Sequence, residues 1–95
     1  MTYKMTNRII TSTVKLDTRI GHLDCDTTRG QFSVYLPLST IDSKDGESLT
    51  LSKTSIDNNQ ITVWGQFPDE ADFMVFGVKQ KKISLICKDG LWRCL

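Results

Sequence analysis

Between Gln31 and Pro37 the chain alternates without a break. Phe32, Val34 and Leu36 fall on one parity and Gln31, Ser33 and Tyr35 on the other. A two-residue period puts apolar side chains on one face of an extended strand. No stretch places apolar residues at helical spacing. Alanine, the best helix former, occurs once, at Ala71, while Thr, Ser, Ile and Val abound. Turn signals recur about every eight to twelve residues, the spacing of an all-β sandwich or barrel. A 39% apolar fraction with 24% charge is too apolar for a disordered chain. At 95 residues there is room for one core and not two.

The same period maps the remaining strands. Residues 8–16 carry Ile10, Val14 and Leu16 against Thr11, Thr13 and Lys15 and read as a first strand closed by a turn at Asp17-Thr18. A second covers residues 19–24, before the polar loop Asp26-Thr27-Thr28-Arg29-Gly30. Pro37 removes a ladder donor and ends the third. Residues 42–46 read as a turn. Residues 48–53 place Leu49 and Leu51 inward, and residues 60–64 do the same for Ile61 and Val63 after the turn Asp57-Asn58-Asn59. Residues 73–79 are apolar on both parities and read as a central strand. Residues 83–88 and 91–95 flank Asp89-Gly90, a type I′ hairpin signal that pairs Lys88 with Leu91 and Cys87 with Trp92. With short loops throughout, neighbouring strands are expected to pair antiparallel.

Charge and cysteine usage narrow the function. A net charge of +1 lacks the basic field that draws a protein to nucleic acid. Three cysteines, Cys25, Cys87 and Cys94, with no CxxC pair, read as reduced thiols in a chain made in a cytoplasm. The N-terminal MTYKMTNRIITSTVK has no signal-peptide h-region, and no apolar run is long enough to span a bilayer.

Catalytic and metal signals are weak. His22 is the sole histidine; on a strand it shares a face with Asp24 and Asp26, which could hold a metal, but a strand residue beside a polar turn is the commoner case. Cys25 lies three residues from His22, on the opposite face. Asp69, Glu70 and Asp72 could act as a glycosidase acid and base; a solvated loop cluster is commoner. No nucleophile elbow and no glycine-rich phosphate loop occurs. The expectation is no enzyme and no cofactor. Trp64 and Phe67, flanking a loop with Asp69, Glu70 and Asp72, are the candidate surface contacts. Phe32, Val34, Leu36, Leu85 and Trp92, with Leu49, Leu51, Ile61 and Val63, are the candidate core and assembly residues.

Four segments together resemble small β-domains of bacteriophage tail fibres, head fibres and related virion appendages. DTTRGQFSVYLP, residues 26–37, is similar to a D-T-x-x-G-x-f-x-V-x-L-P opening. GESLTLSK, residues 46–53, resembles G-x-x-L-x-I-x-K. NNQITV, residues 58–63, resembles an N-x-I-T-V step, and ISLICKDGLWRCL, residues 83–95, a closing D-G-x-x-W hairpin. This hairpin carries Lys88 where the family has a serine, and one residue fewer between Gly90 and Trp92 than many members. The resemblance implies an antiparallel β-sandwich or interwoven β-module that self-associates, usually as a homotrimer. It implies a virion location, other virion proteins or a host surface receptor as partners, and attachment or particle stabilisation as the role. Without a shaft, the chain reads as a fibre tip, head fibre or capsid decoration, with residues 1–8 as an N-terminal arm and 9–95 as a single domain. The strand over residues 9–16 would dock on the particle or on a neighbouring subunit. A small phage-encoded inhibitor of a host protein is the alternative reading.

Overall fold

The computed structural model describes residues 6–16, 20–37 and 46–95. The turn expected at Asp17-Thr18, residues 42–45 of the turn expected before Gly46, and residues 1–5 of the expected arm lie outside them. The described residues form nine strands: β1 (Thr6–Ile10), β2 (Val14–Lys15), β3 (Ile20–Cys25), β4 (Phe32–Tyr35), β5 (Ser48–Lys53), β6 (Ile61–Trp64), β7 (Phe73–Phe76), β8 (Lys82–Lys88) and β9 (Leu91–Cys94). β1 thus begins inside the segment assigned to the arm. The fold is all-β.

The pairing differs from the antiparallel expectation. Sheet A runs β1-β3-β5-β8-β9 and sheet B runs β2-β4-β6-β7. β1, β3 and β5 are parallel to one another, as are β2, β4 and β6. Only β8, β9 and β7 add antiparallel. The physical reason lies in the connections. After β1, β3 and β5 the chain leaves sheet A and supplies the next strand to sheet B, so consecutive strands never pair until β6. Each pass returns in the same direction and stacks parallel on the one before. A turn between two strands allows a hairpin but does not require one. The run over residues 8–16 is accordingly two strands, broken by bends at Thr11 and Ser12.

Side-chain parity survives this winding. In sheet A, Leu23, Leu51 and Ile83 share a row, and Leu49 and Leu85 pair below it. In sheet B, Val14, Val34, Val63 and Met74 share a row, with Phe32, Ile61 and Phe76 beside them. These inner faces, with Ile10, Leu16, Leu36, Phe67 and Trp92, form one buried cluster. Phe32, Val34, Leu36, Leu85 and Trp92 are all buried in it. The terminal hairpin has the register that Asp89-Gly90 demands, with Cys87 opposite Trp92 and Lys88 opposite Leu91. Asp89 and Gly90 both hold positive φ, at 55° and 78°, as a type I′ turn requires.

Candidate functional site

Where the chain crosses between the sheets, its backbone has no ladder partner. Those carbonyls need donors or must stay in water. Three crossings meet at one end of the molecule: residues 26–31, 54–60 and 77–81. Two of them share a donor, Lys53. Its parity follows Leu49 and Leu51, so the last residue of β5 points inward and its side chain is fully covered. The ammonium donates to the carbonyls of Asn59 and Gly77, both at 2.8 Å, and to that of Asp57. Asp57 Oδ1 lies 3.3 Å from it. Gly77 is needed for this approach. Its φ is +118°, and a Cβ there would sit 3.2 Å from both Lys53 Cδ and the Asn59 carbonyl oxygen.

The first crossing joins through Thr27, which is fully buried. Its hydroxyl donates to Asp57 Oδ1 at 2.6 Å and lies 3.0 Å from Ser55 Oγ, which also accepts the Thr27 amide. The Asn59 side-chain amide donates to the Thr27 carbonyl at 2.8 Å, and the Asn59 backbone amide donates to Asp57 Oδ1. The Thr27 hydroxyl is the main reason the Asp57 carboxyl sits well below the usual carboxylate range. Partial burial opposes it; Ser55, the Asn59 amide and Lys53 add to it. All three N–H donors of the Lys53 ammonium are engaged by carbonyl oxygens. The cluster is a structural knot.

A pH dependence follows. A depressed folded-state pKa stabilises the fold fully above the unfolded value of about 4, and that stabilisation is lost as pH falls below it. Asp26 acts in the same direction, lowered chiefly by the Thr28 hydroxyl and then by the Thr28 amide. The thermal midpoint should stay level from neutral pH to about 5 and fall below about 4. Asp57→Asn should melt lower at neutral pH and show a shallower acid decline, the remainder coming from Asp26. A decline as steep as the parent's would overturn the assignment to Asp57.

His22 Nε2 lies 2.8 Å from Asp24 Oδ1 on the outer face of sheet A. Asp26 does not join them; its carboxylate caps its own loop through the Thr28 amide and hydroxyl. Among the described residues no three His, Cys, Asp or Glu side chains converge as metal ligands. Cys25 is buried on the opposite face, and burial, helped by Asp24, pushes its thiol up to about 12. It offers no thiolate at neutral pH.

Of the five expected surface contacts, Asp69, Glu70 and Asp72 are exposed on the β6–β7 loop, and Trp64 is half-buried. Phe67 is not a surface contact. It lies in the core, because Phe67 N–H bonds to the Ala71 carbonyl around Pro68 and Trp92 N–H bonds to the Gln66 carbonyl, folding the loop back onto β9. Trp64 instead belongs to a row on the outer face of sheet B. The register aligns Lys15, Tyr35, Trp64 and Phe73 across β2, β4, β6 and β7. Tyr35 and Trp64 lie nearly parallel with centroids 6.2 Å apart, and Trp64 and Phe73 are 5.1 Å apart. Tyr35 is 44% exposed and Phe73 51%. Sequence reasoning missed both. Tyr35 stood on the outward parity of the clearest strand, which was the available signal.

No protein-family model matches the chain, and a search of curated proteins finds no match either.

Proposed function

We propose that the chain is a virion structural protein of the fibre-tip, head-fibre or capsid-decoration kind, a sandwich-like module that assembles as a homotrimer and takes part in attachment or particle stabilisation. One observation carries this reading. The segments resembling fibre domains meet each other. Thr27 from the first, Lys53 from the second and Asn59 from the third share the knot. Trp92 from the fourth donates its indole N–H to the carbonyl of Pro37, at the end of the first, at 3.0 Å. The pattern is therefore spent on architecture, as it would be in a domain whose work is to be rigid and to present surfaces.

Trimerisation suits a chain this small, which buries too little of itself to be robust alone. The subunit contact is β1, at the edge of sheet A, where Ile9 is 71% exposed. Light scattering at micromolar concentration should give three times the chain mass, and proteomics of purified particles should recover the chain in stoichiometric amount. A monomer that is missing from particles would sink the proposal.

A further inference from the structure

The outer face of sheet B carries more than a row of rings. Beside Tyr35, Trp64 and Phe73 runs a second row, Ser33, Thr62 and Val75, in register on the same three strands. Lys15, at one end, is the single charged side chain at the outward strand positions of this face. The indole N–H of Trp64 points at Ser33 Oγ, 3.4 Å away, which ties the ring to the hydroxyl row. The outer face of sheet A is different: five charged or titratable side chains, His22, Asp24, Lys82, Lys88 and Arg93, are spread over it among Ser, Thr and the apolar Ile9, Ile86 and Leu91, with no Phe, Tyr or Trp among the described residues.

Size decides what such a face can hold. Strands about 4.8 Å apart and residues about 3.3 Å apart make the four-strand face on the order of 250 Å². A stable protein interface takes roughly 800 Å² from each partner. The face is too small to hold another copy of the chain by itself, and long enough for a small elongated ligand. Charge decides the class. A nucleic-acid strand needs cations along its phosphates as well as rings under its bases, and only Lys15 is available. A neutral saccharide needs neither. Its C–H faces carry slight positive charge and lie against the negative faces of aromatic rings, while its hydroxyls exchange hydrogen bonds with neutral hydroxyl side chains.

We infer that Tyr35, Trp64 and Phe73, with Ser33 and Thr62 beside them, form a binding site for a neutral oligosaccharide. This deepens the attachment reading above and rests on it. The test uses the full chain titrated with cellohexaose, maltohexaose and chitohexaose, followed by tryptophan fluorescence. Trp92 is 2% exposed, so the response reports Trp64. At least one of these sugars should bind, equally well in low and high salt. Tyr35→Ala and Phe73→Ala should each weaken that binding about tenfold, as ring removal does at other stacking sites. Three results would overturn the inference: no response to any of the sugars; salt-sensitive binding of oligothymidine that needs the same rings; or a lower assembly mass in the ring variants, which would make the row a subunit contact. None of them touches the virion reading, which particle proteomics tests separately.

Discussion

Lys53→Met should bring the domain close to unfolding at room temperature. Methionine keeps the length and apolar character of the stem, so the change isolates the ammonium. Its loss strands three carbonyls, those of Asp57, Asn59 and Gly77, and leaves Asp57 without its cation. Removing one member of a buried charged pair costs about 3–5 kcal/mol. Each buried acceptor left unpaired adds about 1–3 kcal/mol unless water reaches it. A domain of this size has about 5–15 kcal/mol in all. With a urea slope near 2 kcal/mol per molar, the unfolding midpoint should fall by about 2 M from the broken ion pair alone, and by more for each carbonyl that water does not reach. Lys88→Met, at an exposed position of β8, is the control and should stay within about 0.5 kcal/mol of the parent. Because Lys53 and Asp57 share one knot, the double variant with Asp57→Asn should lose less than the two single losses combined. A Lys53→Met protein that unfolds like the control would show that water satisfies these carbonyls and that the knot is incidental.

The knot was half legible. Leu49, Leu51 and Lys53 stand on one parity, so a strand over residues 48–53 must turn the lysine the same way as the leucines. What parity could not supply was the oxygen that would meet it. The Asp57 and Asn59 carbonyls lie 4 and 6 residues on, across a turn, and the Gly77 carbonyl 24 residues on, and only the stacking of the crossings brings them together. The period of two says which face a residue takes and nothing about which strand lies beside it. That is why the core came out of the sequence nearly intact while the pairing did not.

Repetition would have revealed the parallel winding, but the passes are unequal. Ile10 pairs with Cys25 and Cys25 with Lys53, steps of 15 and 28 residues; Val14 pairs with Val34 and Val34 with Val63, steps of 20 and 29. No fixed period survives for the eye to catch. The terminal hairpin was legible to the residue because its turn is local: Asp89 and Gly90 tolerate positive φ, and that alone fixes the register. β7 misled for a related reason. Its two apolar faces suggested a central strand, yet it is the edge of sheet B, and Phe73 and Val75 face outward beside Trp64 and Thr62. An apolar outward face reads from sequence like a second buried layer.

Trp92→Ala should be the most damaging single truncation in the core, and Trp92→Phe shows why. The indole is 2% exposed opposite Cys87, among residues from both sheets. Its N–H is bonded to the Pro37 carbonyl at 3.0 Å, across 55 residues of chain. Cutting it back to alanine removes a large ring and leaves a cavity, a loss of about 3–5 kcal/mol. Phenylalanine keeps much of the volume but leaves the Pro37 oxygen without its donor, a loss of about 1–3 kcal/mol. Urea unfolding followed through Trp64 and circular dichroism should therefore rank the parent above Trp92→Phe and Trp92→Ala lowest, with unchanged slopes. If phenylalanine costs as much as alanine, the bond to Pro37 outweighs the packing, and the hairpin acts chiefly as a latch on the strand that ends there. If alanine costs less than about 1 kcal/mol, the closing hairpin is peripheral to the fold. The core that joins the two sheets would then have to be redrawn without it.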